Sequence, residues 1–135
     1  MLELYGIPNC DTVKQARLWL NQAGLTHTFH DFKKTGVAAE LLEHWAGLVG
    51  WERLLNRRGS TWRQLSPATQ QAASDETGAL ALMRARPSLI KRPVASWPDG
   101  TVTVGFIAED WHRLLPKFLP GFVNQTGPSC VNLRR

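Results

Sequence analysis

Cys10 follows a short apolar stretch, Leu2 to Ile7, and the turn residues Gly6, Pro8 and Asn9, and it precedes a run with helical period. That places its sulfur between the end of a strand and the first turn of a helix. There the backbone N–H groups lack intrahelical partners, and the positive end of the helix dipole favours an anion. The thiolate is the nucleophilic form of cysteine, and such a position lowers a thiol pKa from about 8.5 into the range of roughly 3.5 to 7.5. Thr12 adds a hydroxyl donor, whereas Asp11 opposes the shift wherever its carboxylate nears the sulfur. The competing reading is a small buried apolar residue, which free cysteine often is. Location in a turn favours the reactive one. Val13 stands where a Cys-x-x-Cys motif would have its second thiol, so a mixed disulfide on Cys10 must be released by another thiol. That thiol is glutathione, a glutaredoxin-like protein, or Cys130 if the tail folds back. Cys130, on a tail with no helical or strand period, reads as incidental.

Two stretches of cations bear on the same chemistry. In Lys91-Arg92-Pro93 a proline enters a strand beside a loop. Were that X-Pro bond cis, the bend would face the helix-start cysteine, and Arg92 would offer a planar fork to an oxyanion or carboxylate. Spacing alone supports the plainer reading, a solvated cation before a trans proline. Arg57-Arg58 lies in the loop Asn56-Arg57-Arg58-Gly59. Lys and Arg number 16 against 11 Asp and Glu, a formal charge of +5, which suits anionic partners in general. No basic stripe interleaved with aromatics appears, so direct nucleic-acid binding lacks a warrant. His27 and His30 stand three apart without a cysteine at ligand spacing, and no metal site is expected; His30 reads as a structural residue of a strand. Glycine-rich phosphate loops, a Gly-x-Ser-x-Gly elbow and paired catalytic carboxylates are missing, which removes kinase, esterase and glycosidase readings.

These residues need elements to hold them. The chain has 135 residues, 43% of them hydrophobic, the size of one domain with a sizeable core. No apolar run approaches the roughly 20 residues that cross a bilayer. The start, Met1 to Gly6, lacks the basic and long apolar regions of a signal peptide, and two cysteines are too few for a disulfide scaffold; the expected compartment is the cytoplasm. The first strand runs through Leu2, Leu4 and Ile7. A helix from Asp11 to Ala23 puts Val13, Ala16, Leu20 and Ala23 on one face, and Gly24 caps it. Thr28 to Phe32 alternates as a second strand, giving a parallel, right-handed βαβ unit.

Helical patterning follows. Leu41, Leu42, Trp45, Leu48 and Val49 form an apolar stripe stopped by Gly50, and Trp51 to Leu55 makes a helical turn. Ser66-Pro67 starts a helix, and Asp75 caps another that carries Ala79, Leu82 and Met83 and ends before Pro87. Val94 to Trp97 and Thr101 to Phe106, joined by Pro98-Asp99-Gly100, read as an antiparallel hairpin. A last helix spans about Ala108 to Leu115. The expected architecture is α/β: a four-stranded mixed sheet of thioredoxin-like type formed by residues 1–35 and 87–117, an inserted all-helical subdomain at 36–86, and a loosely held tail at 118–135.

Several separated segments resemble the ArsC/Spx family, most closely its YffB-like branch of thiol reductases. They are Tyr5-Gly6-Ile7-Pro8-Asn9-Cys10-Asp11-Thr12, then Phe29-His30-Asp31-Phe32, then Gly50-Trp51-Glu52 and Leu54-Leu55-Asn56-Arg57-Arg58-Gly59-Ser60-Thr61-Trp62, then Ile90-Lys91-Arg92-Pro93, and finally Gly105-Phe106. The resemblance covers roughly residues 1–116. It implies a thioredoxin-like fold with a helical insertion, Cys10 as nucleophile, and a cis bond at Arg92-Pro93 with Arg92 near the thiolate. Arsenate reductases of the family use three arginines. Arg92 matches one, Asn56 stands at the second, followed by Arg57 and Arg58, and Phe106 stands at the third. The missing cations point away from arsenate and toward a glutathione-dependent thiol reductase. In that reading Cys10 and Arg92 are catalytic, and Asn9, Thr12, Arg57, Arg58, Lys91 and Pro93 bind substrate. Glutathione serves as co-substrate, glutathione or a glutaredoxin-like protein is the expected reductant, no cofactor is bound, and a monomer is expected. Spx-like members are instead redox-responsive regulators that bind RNA polymerase and commonly switch through the Cys-x-x-Cys pair that Val13 removes here.

Overall fold

The computed structural model describes residues 2–118. The tail expected from 118 onward therefore lies outside the described residues except for Phe118, and so does Cys130. Strand β1 (Leu2–Gly6) leads into helix α1 (Asp11–Ala23) and strand β2 (His27–Asp31). A helical run follows: α2 (Phe32–Thr35), α3 (Ala39–Val49), α4 (Trp51–Leu54), α5 (Ser60–Arg63), α6 (Pro67–Ala72) and α7 (Glu76–Ala85). Strands β3 (Val94–Ser96) and β4 (Val102–Val104) and helix α8 (Ala108–Leu114) complete the order.

The sheet is four-stranded and mixed, in the order β2-β1-β3-β4. β1 pairs with β2 in parallel, Leu4 opposite Phe29, and with β3 antiparallel, Leu4 opposite Ala95. A parallel pair needs a crossover, and α1 supplies it. Its buried positions Val13, Ala16, Trp19 and Leu20 recur at helical spacing. Gly24, at φ 76°, closes it in the left-handed region and donates its N–H to Asn21 and Leu20 carbonyls.

Because successive strand residues face opposite sides, the sheet has two separate cores. On one side Leu2 and Leu4 join Ala16, Leu20, Ala95 and Trp111. On the other, Val94 and Val102 join Phe32, Leu42, Trp45 and Met83, so the helical run shares one core with the sheet. Tyr5 turns toward this second side, stacking on His30 at 4.6 Å and meeting Trp45 edge-on at 4.9 Å. His30 also bonds Glu3 across the β1–β2 pair.

Two local expectations need correction. Phe32 does not end β2 but opens α2, where it is buried: the Asp31 carboxylate caps that turn by accepting from the Lys33 and Lys34 N–H groups. Leu48 is not part of the buried stripe of α3; it is 53% exposed. The buried face of α3 is carried by Leu42, Trp45 and Ala46, and Leu48 is rotated off it. Residues 60–63, for which no separate element was expected within the helical run, form the single turn α5. Gly50 does stop α3, at φ 89°, and Ser66 and Asp75 do cap α6 and α7 by accepting from the N–H groups of Thr69 and Gly78.

Candidate active site

Cys10 occupies the N-cap of α1 with extended backbone angles, φ −84° and ψ 127°. The turn before it is closed by the Cys10 N–H donating to Ile7 O at 3.1 Å, and the helix begins with the Lys14 N–H donating to Cys10 O at 2.9 Å. Gly6 allows this close geometry. A Cβ there would stand 2.8 Å from Cγ2 of the buried Val13, so any side chain would push the first turn of α1 away from β1. Cys10 is half-buried and, among the described residues, in no disulfide. No capping hydrogen bond of regular geometry forms, yet the N–H groups of Thr12 and Val13 are aimed toward it. Burial pushes the thiol pKa up; the Val13 N–H, the Arg92 guanidinium by hydrogen bonding and by charge, and the Thr12 N–H together outweigh it and hold Cys10 below the ordinary value of 9.0.

Arg92 reaches this place through the segment entering β3. The Arg92-Pro93 peptide bond is cis. Nη1 of Arg92 donates to Ser88 O at 2.8 Å, while its Nε is buried with no partner of regular geometry among the described residues. The guanidinium is thus tethered at one nitrogen and faces the sulfur through charge and a loosely aligned N–H. The same segment is bound to the helical run. The Asn56 N–H donates to Leu89 O at 2.8 Å, the Lys91 N–H donates to Leu54 O at 2.7 Å, and Leu55 bridges Ile90. These bonds carry the Asn56 loop to the site from more than thirty positions away in sequence. Gly105, at φ 83°, donates its N–H to Pro93 O at 2.8 Å and brings Phe106 to the opposite wall.

The resulting cavity of about 390 Å³ is lined by Cys10, Thr12, Asn56, Lys91, Arg92 and Phe106, among others. Arg57 and Arg58 line a neighbouring cavity of about 370 Å³ that shares Asn56, Lys91 and Val104 with the first. Arg57 is held against two indoles, 5.7 Å from the Trp51 ring and 5.8 Å from Trp62; sequence reasoning missed this clamp, and the two tryptophans flanking the arginine pair are the signal that could have found it. Asn56 accepts from the Arg58 N–H at 3.1 Å and so shapes the loop as an Asx turn. Asn9 is exposed and Pro93 buried, and neither lines the Cys10 cavity. Phe106 sets its ring edge-on to Trp111 at 4.8 Å and Trp19 at 6.2 Å, so an aromatic cluster occupies the wall where a third cation is missing. Among the described residues no cluster of His, Cys, Asp and Glu suited to a metal occurs, and no helix is long and apolar enough to cross a membrane.

The model of the ArsC family matches residues 5–114. The chain belongs to that family. An uncharacterised Haemophilus influenzae protein is 37% identical over 111 residues, covering 82% of this chain and 96% of its own. The solved structure of the YFFB protein is 43% identical, with a TM-score of 0.77 over 82% of this chain and 96% of its own. An arsenate reductase (ArsC) related protein from Brucella melitensis is 45% identical, with a TM-score of 0.67 over 83% and 92%. At lower identity, 27% over 124 residues, comes the global transcriptional regulator Spx of Enterococcus faecalis, covering 87% of this chain and 88% of its own. This ArsC-family chain therefore has the thioredoxin-like fold, with the helical run lying between β2 and β3.

Proposed function

We propose that the protein is a glutathione-dependent thiol reductase, working as a monomer in the reducing cytoplasm without a bound cofactor. The observation that carries this reading is the Cys10 residue at the N-cap of α1, lining one cavity with Lys91 and Arg92, where the helix-start N–H groups and the guanidinium favour the thiolate. The Cys10 thiolate attacks the glutathione sulfur of a mixed disulfide. A Cys10–glutathione disulfide forms, the original S–S bond breaks, and the released thiolate takes a proton. A second glutathione thiolate then attacks that sulfur, giving glutathione disulfide and restoring the Cys10 thiolate. Val13 is fully buried and has no thiol, which supports an external resolving thiol. Arg92, Lys91, Arg57 and Arg58 receive the carboxylates of glutathione, and Asn9, Thr12 and Pro93 shape the binding turn.

Arsenate reduction is the weaker enzyme reading, because Asn56 and Phe106 leave Arg92, among the described residues, as the lone arginine on the sulfur's own cavity. A second reading, a redox-responsive regulator that binds RNA polymerase, is favoured by the similarity to Spx. Turnover separates the three. The wild type, Cys10→Ser and Arg92→Ala are compared on glutathione mixed disulfides and on arsenate, with and without glutaredoxin. Turnover of mixed disulfides that vanishes in Cys10→Ser is the expected result. Turnover surviving Cys10→Ser removes the reductase reading, and capture of the polymerase α subunit without any thiol turnover replaces it with the regulator.

A further inference from the structure

Val104 borders three cavities at once: the one that holds the Cys10 sulfur, the cationic one beside it, and a third of about 160 Å³. Val102, Thr103, Val104 and Gly105 all line the third. Side chains of successive strand residues point to opposite faces, so an unbroken run can border one space only along the strand's edge. β4 is the outermost strand, and the third cavity runs along its open side. Val49 and Arg53 flank it on one hand, Asp110 and Trp111 on the other.

The ladder determines which groups face that space. Val94 stands opposite Val104, Ala95 opposite Thr103 and Ser96 opposite Val102. In the same register the Gly105 N–H donates to Pro93 O and the Trp97 N–H to Thr101 O, each at 2.8 Å. Bonded and non-bonded pairs alternate in an antiparallel ladder. Thr103 is therefore the residue bonded to Ala95, while Val102 and Val104 direct their N–H and C=O groups outward. No backbone group among the described residues pairs with them.

Charge and apolar surface continue from this edge to the sulfur. Ile107, 62% exposed, lines both the edge cavity and the Cys10 cavity. Arg53, Arg57, Arg58 and Lys91 line the adjoining one with a single carboxylate, Glu52, and Asp110 at the edge is taken up by Arg113.

We infer that the open edge of β4 docks the substrate polypeptide: an extended, acidic segment of a protein whose cysteine is held as a mixed disulfide with glutathione. The inference rests on the thiol-reductase reading and names its substrate class. The segment adds as a strand through Val102 and Val104, lays an apolar side chain on Ile107, and places acidic side chains on Arg53, Arg58 and Lys91. Its cysteine then lies at Cys10, where the thiol exchange described above proceeds with the protein thiolate as leaving group.

The test uses the full chain and five synthetic substrates. They are a ten-residue acidic peptide with a central cysteine as the glutathione mixed disulfide, its lysine counterpart, the acidic peptide N-methylated at alternate residues in either register, and the mixed disulfide of glutathione with mercaptoethanol. The acidic peptide is expected to exceed mercaptoethanol in kcat/KM by about a hundredfold and the lysine peptide by about tenfold, an advantage that added salt erodes. N-methylation in one register removes about tenfold of it and in the other leaves it, as loss of edge hydrogen bonds requires. The Val102 and Val104 amide resonances shift on binding the acidic peptide to Cys10→Ser, a readout independent of turnover. Equal rates on all substrates, indifference to N-methylation, or unmoved Val102 and Val104 resonances overturns the docking edge while leaving the reductase reading intact. Protection of those two amides by a concentration-dependent dimer overturns it in favour of a second copy of the chain. Absence of turnover on every substrate sinks the reductase reading, and the amide shifts still decide the edge.

Discussion

The two sides of the Cys10 sulfur are built in opposite ways. On one side stand the N–H groups of Thr12 and Val13, two and three residues along the same chain and placed by the start of α1. On the other stands Arg92, brought from eighty residues away and tethered through Ser88 O. The first side is backbone and survives almost any substitution that preserves the helix. The second is one side chain, held through Nη1 by the Ser88 and Ile90 carbonyls and by a chain of contacts running from Leu54 to Phe106. A low thiol pKa therefore has a local foundation that is hard to remove and a tertiary supplement that evolution or mutation can tune.

Removing what both sides act on gives the largest effect: Cys10→Ser should cut thiol turnover by at least about a thousandfold, since a hydroxyl is not ionised at neutral pH. Its thermal midpoint should stay near wild type, as the serine is a good N-cap. Taking away only the tertiary side, Arg92→Ala should slow Cys10 alkylation by iodoacetamide at pH 7 about tenfold, because losing the guanidinium raises the thiol pKa and thins the thiolate. The sign follows from the native value lying below 9.0. Wild-type alkylation persists as pH falls below that ordinary value and is lost only through the lowered one, whereas the variant loses it at higher pH. The same shift stabilises the native state above the unfolded thiol pKa, and that contribution is lost as pH falls through the native pKa. A variant whose alkylation profile matches wild type would show that the helix start alone sets the thiol.

Phe106→Arg sharpens the contrast by adding a cation to the tertiary side. It should tighten binding of oxyanions such as arsenate several-fold, read by titration calorimetry, at a cost of about 1–3 kcal/mol for withdrawing the ring from the Trp19–Trp111 cluster. The smallest effect belongs to the neighbouring cavity. Trp62→Leu keeps apolar packing but removes one of the two rings that hold Arg57, and should raise KM for glutathione substrates about threefold while leaving kcat unchanged.

Signals with a short range were legible. Capping by Gly24, Ser66 and Asp75 and the periodic face of α1 each depend on residues within a few positions; the caps stand as read, and the buried face keeps Val13, Ala16 and Leu20 but adds Trp19, with Ala23 only partly buried. The hairpin of β3 and β4 was legible for the same reason, since turn chemistry at Pro98-Asp99-Gly100 joins two alternating runs. Single turns such as α2 and α5 were not, because four residues cannot display a helical period. The exposed Leu48 was misread because an apolar residue near a helix end fits a stripe by count while lying outside it by rotation. At the site, Cys10 was found from its flanking turn, yet spacing alone left Arg92 as a solvated cation before a trans proline.

What the amino-acid order determined by itself is the cysteine at a helix start with no second thiol beside it, since strand, turn and first helical residues are contiguous. Only the tertiary structure decided what stands across from it. The bonds joining Leu54 and Asn56 to Leu89 and Lys91, and Gly105 to Pro93, close loops of very different length, and no local propensity encodes such closures. They draw Arg92, Asn56 and Phe106 around one sulfur because the two cores on either side of the sheet leave the helical run and α8 no other place to pack.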